Sequence, residues 1–253
     1  MEPILHPKAG CSRPPLIRDD AGAKVTLDTA MSEKPDQSLT RDAIRAMRRS
    51  YGDIGMENLP ADPFAAFSTW LAEAATNEYI VEANAMVLST LGADEEITSR
   101  TVLLKDISEG GFTFFSNYKS RKAHAFEIHD RVSVLFPWYA MERQVSIAGI
   151  ISKISESESE EYFATRPWSS QIGAWASAQS SELSSRAELE KSFSDFEKKW
   201  PEGENIPRPE HWGGYLVIPK SIEFWQGRYS RLHDRIRYVR DDNNNWQIKR
   251  LNP

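Results

Sequence analysis

In the pentapeptide Arg231-Leu232-His233-Asp234-Arg235, a histidine stands between two arginines at alternate positions. If the segment is extended, Arg231, His233 and Arg235 project from one face, with Leu232 and Asp234 on the other. Three cationic or potentially cationic groups on one face repel one another, so an anion or an electron-rich ring is expected above them. A surface strand facing water is the alternative. His233 in this setting is a candidate for proton handling near neutral pH.

Three further groupings carry positive charge, the first two of them where a phosphate would be welcome and the third where two ligands, or one that wraps the strand, would be served. Arg121 and Lys122 follow Phe115, Ser116 and Ser120 at the start of a predicted helix. Cations at that end oppose the helix dipole unless an anion is bound there. Tyr162 and Arg166 are four residues apart and share a helix face, with Ser170 just past Pro167. The guanidinium fork suits phosphate oxygens, although Ser169 or Ser170 could equally cap the next helix. Arg100 and Lys105 end the run Arg100-Thr101-Val102-Leu103-Leu104-Lys105, where alternation sends them to opposite faces. Taken singly, each motif is also explained by cations in solvent.

These residues need elements to hold them. Residues 1–38 mix Pro, Gly, Ser and charges without periodicity and read as a mobile tail, leaving 39–253 as one domain. Helical spacing starts at Thr40 and ends near Gly52, and Asp62-Pro63 reads as an N-cap and first turn before Phe64, Phe67, Trp70 and Leu71. Strands are predicted at Ala85–Leu91, Ile97–Lys105 and Gly111–Ser116, then at Val132–Trp138 and Gln144–Ile154 after a helix over Arg121–Ile128. Residues 155–200 read as helices. Strands return at Tyr215–Ile218, Ile222–Gln226, His233–Val239 and Trp246–Arg250. Short turns between strands, with helices in blocks, indicate an α+β fold with an antiparallel closed or split barrel.

Composition excludes several classes. A net charge of −6 argues against a nucleic-acid partner. The single cysteine, Cys11, allows neither a disulfide framework nor a thiolate metal site, and no His/Asp/Glu group has metal spacing. Apolar runs are too short for a membrane helix and no secretory core is present, so the expected compartment is the cytoplasm.

Taken together, RTVLLK (100–105), FSNYKSRK (115–122), Arg143-Gln144-Val145, YFATRPWSSQIGA (162–174), Gln179-Ser180-Ser181, Trp212-Gly213-Gly214, EFWQG (223–227), RLHDR (231–235) and the terminal RLNP (250–253) occur in one order. From about Arg48 to Pro253 the chain resembles the pyridoxine/pyridoxamine 5′-phosphate oxidase family. The resemblance implies an FMN-binding split β-barrel and a homodimer with FMN at the subunit interface. It also implies oxidation of pyridoxamine or pyridoxine 5′-phosphate by O2 to pyridoxal 5′-phosphate. It assigns FMN to Arg100, Thr101, Val102, Leu103, Lys105, Phe115, Ser116, Arg121, Lys122, Gln144, Gln179, Ser180, Trp225 and Arg235. Substrate phosphate falls to Lys105, Tyr162, Arg166 and Ser170. Arg231, Leu232 and His233 lie at the substrate ring, with Arg231 and His233 as catalytic candidates, and Arg48 and Tyr51 form a lid.

The chain departs from the family pattern in three places. Its N-terminal tail is long. Gly52-Asp53-Ile54-Gly55 lacks the basic residues often found after Tyr51, and Arg228 and Tyr229 stand where small or polar residues are usual. A flavin reductase on the same barrel, or a non-catalytic flavin or B6 carrier, are the rival readings. The first leaves Tyr162, Arg166, Ser170 and the Arg231–His233 segment unexplained, and turnover with oxygen separates the second.

Overall fold

A computed structural model describes residues 41–47, 50–56, 58–108 and 110–253. The expected tail over 1–38 and the lid residue Arg48 lie outside the described residues. The chain divides into two units, Met1–Arg48 and Arg49–Pro253. In the first, the described part forms helix α1 (Arg41–Ala46), shorter than the expected helix, with an Asp42–Arg45 ion pair of 3.6 Å.

The second unit opens with α2 (Pro63–Ala75). Asp62 caps it, accepting from the Phe64 and Ala65 N–H groups, and Pro63 supplies the first helical position. Behind this cap Phe67, Trp70 and Ala74 recur on one buried face. Nine antiparallel strands follow: β1 (Ala85–Leu91), β2 (Ile97–Leu103), β3 (Asp106–Ser108), β4 (Gly111–Asn117), β5 (Arg131–Trp138), β6 (Arg143–Lys153), β7 (Trp212–Gln226), β8 (Asp234–Arg240) and β9 (Trp246–Leu251). The order is β2-β1-β5-β6-β7-β4-β3, with β8 also on β7 and β9 on β8. The α+β class and antiparallel sheet match expectation.

Two boundaries differ from the sequence prediction. β2 ends at Leu103, and the next residues turn into the short β3, which periodicity misses because it spans three residues. The two strands expected over 215–218 and 222–226 are one, β7, which runs through Pro219. Proline is accepted there because the β6–β7 register shifts between Ala148 and Gly149, so an irregularity absorbs the missing N–H. A Cβ on Gly149 would lie 2.2 Å from the Ile218 carbonyl oxygen, so this close approach requires glycine. One edge of β7 pairs with β6 from Tyr215 to Gln226, while the other is shared: residues 212–217 pair with β4 and 221–226 with β8. That sharing is what splits the barrel.

The remaining helices are α3 (Arg121–Ile128), α4 (Glu156–Thr165), α5 (Trp168–Ala176) and α6 (Arg186–Lys199). A capping box of Ser155 and Glu158 starts α4. The main core gathers α2 against the sheet, where the Phe67 ring meets Phe112 and Phe136 at 4.9 and 4.8 Å. A second core of Phe163, Ile172, Ile206 and Trp212 seats α4 and α5 on the start of β7.

Phe67 is fully buried at the first junction. Phe67→Ala is expected to lower unfolding free energy by about 3–5 kcal/mol, whereas Ile97→Ala, on an exposed strand position, should change it by less than about 0.5 kcal/mol. Denaturant melts at one fixed protein concentration measure both, and equal midpoints for the two variants would contradict this core assignment.

Candidate functional site

One cleft of about 1200 Å³ collects residues from β2, β4, α3, α4, α5 and the loop after α5. It is lined by Arg100, Thr101, Val102, Leu103, Lys105, Phe115, Ser116, Arg121, Lys122, Tyr162, Arg166, Ser170, Gln179 and Ser180, all singled out in the sequence. Asn117, Thr165, Gly173, Ser177 and Trp212 join them. Trp212 lay inside a quoted motif without a role. Asn117, Thr165 and Gly173 did so too, the first at the end of β4 and the others on α4 and α5, while Ser177 follows α5.

Arg100 and Lys105 both line this cleft, and so do Thr101, Val102 and Leu103 between them, so the cleft wraps the end of β2. Leu104 is buried with its N–H on the Asn84 carbonyl, and the Lys105 N–H turns to Thr113, so strict alternation no longer applies.

The charges are compensated unequally. Lys122 is buried, and its ammonium donates to Ser116 Oγ and Ser120 Oγ at 2.9 Å each and to Gln179 Oε1 at 3.4 Å. All three partners are neutral. Burial, followed by the nearby Arg100 charge, pulls its pKa down to about 8. Arg100 also has only neutral acceptors: Leu88 O, Thr90 Oγ1 and Thr98 Oγ1, at 3.1, 2.9 and 2.5 Å. Burial and the Arg121 charge lower its pKa. Arg121 pairs with Glu96 in solvent. Ser120 takes the N-cap position of α3 but its side chain does not cap; its hydroxyl donates to the Asn117 carbonyl at 2.8 Å instead. The first turn of α3 therefore has no side-chain acceptor at its N-cap.

At the end of α4, the Arg166 guanidinium lies 4.5 Å above the Trp212 ring, and its Nη1 is buried without a hydrogen-bond partner. Burial lowers the Arg166 pKa, against an opposing pull from Tyr162. Trp212, Phe115 and Tyr162 form a ring stack, with Phe115 centred 3.9 Å from Tyr162 and 5.3 Å from Trp212. Gln171, unremarkable in sequence, is buried and donates to the Phe163 and Arg166 carbonyls, fixing the α4–α5 corner. Pro167, rather than a serine, takes the N-cap position of α5. A buried lysine among neutral acceptors, a half-buried arginine and an unpartnered guanidinium nitrogen fit anionic groups such as the phosphates of FMN and of a phosphorylated substrate.

The remaining expected site residues are absent from the cleft lining. Trp225 pairs in register with Gln144 and with Arg235 at the far end of β7 from Trp212. The expected common face of Arg231, His233 and Arg235 does not form. Tyr229–Arg231 is a helical turn in which Ser230 and Arg231 have φ of 56° and 62°, and β8 begins only at Asp234. Left-handed backbone at two adjacent residues reverses the chain and removes the alternation. Arg235 is neutralised by Glu223, with contacts of 2.9 and 2.8 Å. Arg231 and Leu232 are exposed. His233 packs its ring 4.7 Å from Trp225 and 5.5 Å from Tyr51, and its Nδ1 accepts the Arg228 N–H at 3.0 Å. In the neutral imidazole this bond leaves the proton on Nε2. One protomer thus carries two separate groups, a cationic cleft and an aromatic–histidine end.

Residues 72–199 match the pyridoxamine 5′-phosphate oxidase family, and residues 212–253 match the pyridoxine 5′-phosphate oxidase C-terminal dimerisation region. A pyridoxine/pyridoxamine 5′-phosphate oxidase from Streptomyces avermitilis is 46% identical over 213 residues, covering 82% of this chain and 95% of that protein. One from Cupriavidus necator is 48% identical over 209 residues, covering 82% and 97%. Among solved structures, PhzG from Burkholderia lata 383, in complex with tetrahydrophenazine-1-carboxylic acid, superposes with a TM-score of 0.74 at 29% identity, covering 81% of this chain and 100% of that one. A pyridoxamine 5′-phosphate oxidase-related, FMN-binding protein from Nostoc punctiforme shares the fold, with a TM-score of 0.62 at 16% identity over 77% of this chain and 100% of that one. With the split barrel and the two groups of site residues in place, these matches show that the chain belongs to the pyridoxine/pyridoxamine 5′-phosphate oxidase family of oxidoreductases.

Proposed function

We propose that this protein oxidises pyridoxamine 5′-phosphate and pyridoxine 5′-phosphate to pyridoxal 5′-phosphate, with FMN as cofactor and O2 as acceptor, in sites completed by two protomers. The alcohol reacts with one O2 to give the aldehyde and H2O2; the amine also takes up water and releases ammonia. The observation that carries this reading is the pair of cationic stations in one cleft, Lys122 with Arg100 at one and Arg166 at the other, joined by the ring stack. FMN supplies a two-electron acceptor that O2 regenerates.

The protein's own groups do the rest. Lys122, Arg100, Arg121 and the first turn of α3 hold the cofactor phosphate, and Gln179 and Ser180 flank it. Arg166, with Lys105, Tyr162 and Ser170, holds the substrate phosphate and so fixes the ring for reaction. Arg231 is exposed on a left-handed turn and has no ion pair among the described residues, so its charge is available to a ring seated from another protomer. His233, held by the Arg228 N–H, offers Nε2–H as a donor towards that ring. Gln144, Trp225 and Arg235 complete the flavin site from the same end. A homodimer that joins the cleft of one protomer to the β7–β8 end of the other is supported by the dimerisation-region match over 212–253.

The phenazine carboxylic acid bound by the PhzG structure suggests a second substrate class. A carboxylate carries a single charge, and a cleft with two cationic stations favours a phosphorylated cofactor together with a phosphorylated substrate. Oxygen uptake by the purified holoprotein decides between them: both phosphorylated vitamers should be turned over with H2O2 release, and failure with both would overturn the reading.

Two variants test the stations. Arg166→Ala should raise KM for pyridoxine 5′-phosphate by roughly 10- to 150-fold, the worth of a charge-assisted hydrogen bond, with flavin content unchanged. An unchanged KM would remove Arg166 from the phosphate site. Lys122 gives a pH signature, because a bound phosphate favours its protonated form. The free protein should gain stability as pH rises from about 8 towards the ordinary lysine value of 10.5, since its folded pKa is depressed. FMN affinity should do the opposite, falling by about tenfold between pH 7 and 9 in the wild type but not in Lys122→Met. A flat wild-type profile would contradict the assignment.

A further inference from the structure

The segment from Tyr51 to Met56 lies across the end of β7, and charged groups hold it at several points. Asp53 accepts from Arg228 Nε at 3.1 Å and also pairs with its Nη2. Arg228 Nη1 reaches Asp234 at 3.5 Å, and Asp234 in turn accepts the Met56 N–H at 3.0 Å. At the other end of the segment, Glu142 accepts the Gly52 N–H at 2.8 Å. The Tyr51 ring is thereby set edge-on to Trp225 and His233, at 5.8 and 5.5 Å. It sits so close to Gly227 that a Cβ there would lie 3.0 Å from the ring.

Gly52 and Gly55 make this stretch costly to order, so ring contacts alone leave Tyr51 weakly fixed. Glu142 on the Gly52 N–H, the Tyr229 N–H on the Gly52 carbonyl and Arg250 on the Met56 carbonyl fix the two ends of the segment, and Arg228 adds a constraint between them. Its side chain holds Asp53, and its backbone N–H orients His233.

We propose that Arg228, through Asp53, is a positioning residue that holds Tyr51 against His233 and Trp225 as a fixed wall of the substrate end of the site. The inference rests on the oxidase reading for what the wall faces, and on the ion pairs alone for the clamp itself. The Asp53 side chain is 58% exposed and that of Arg228 33%, so the expected effect is moderate.

The test uses the FMN-loaded full chain with Arg228→Ala, Asp53→Asn, Tyr51→Ala and the double variant Arg228→Ala/Tyr51→Ala. Hydrogen exchange of residues 52–56 should accelerate about tenfold in Arg228→Ala and Asp53→Asn. In the same two variants KM for pyridoxine 5′-phosphate should rise about threefold to tenfold, with kcat and flavin content within about twofold of wild type. Adding Arg228→Ala to Tyr51→Ala should raise KM no further, because the clamp acts through Tyr51. Unchanged exchange in both single variants would overturn the clamp. Additive effects with Tyr51→Ala would overturn the positioning role. A wild-type protein with a protected segment but no turnover would overturn the oxidase reading, while the exchange comparison would still decide the clamp.

Discussion

The architecture of the cleft turns on a buried ammonium without a carboxylate. Lys122 is held by two serine hydroxyls and a glutamine carbonyl oxygen, which orient its charge without neutralising it. Burying a cation in this way is unfavourable unless an anion completes the site, and the neighbouring Arg100, also with neutral partners, deepens the cost. Three elements serve this arrangement. β4 delivers Ser116, the turn into α3 diverts the Ser120 hydroxyl from capping, and the loop after α5 brings Gln179. Arg166 repeats the theme at the end of α4, where stacking on Trp212 supports its apolar face and leaves a nitrogen free for a ligand.

β7 sets where these groups can meet. Its first half carries Trp212 into the cleft and pairs with β4; its second half carries Trp225 and pairs with β8. The β6–β7 irregularity near Gly149 and Pro219 lies where its partner strand changes. The same strand therefore supplies one wall of the cationic cleft at one end and the histidine end at the other. The proposed two-protomer site would give both ends one purpose, with a partner bringing its own β7–β8 end to the cleft.

Local signals in the sequence were reliable where one short stretch determines the outcome. Asp62-Pro63 caps α2, and the strand read over Ala85–Leu91 forms with those bounds, its even positions buried. Arg121 with Lys122 after Ser120, and Arg166 after Tyr162, pointed to the cleft because charge at those positions conflicts with burial or with the helix dipole. What stayed hidden depends on distant partners or on rare backbone. Nothing in Tyr229-Ser230-Arg231 announces two left-handed residues, so the shared face assumed for Arg231, His233 and Arg235 failed. The neutralisation of Arg235 by Glu223 requires the β7–β8 register. Arg228 and Asp53 stand 175 positions apart, and their pairing turns two departures from the family pattern into one contact.

If the cleft is built around phosphate, the ratio of FMN to riboflavin affinity for the flavin-free protein, measured by calorimetric titration of each, reads that out. The two ligands differ only in the phosphate. With at least two charge-assisted hydrogen bonds to that group, the account predicts that FMN binds on the order of 10²-fold more tightly or better. Equal affinities would contradict it, because the charges of the buried Lys122 and the half-buried Arg100 would then contribute nothing to holding the cofactor.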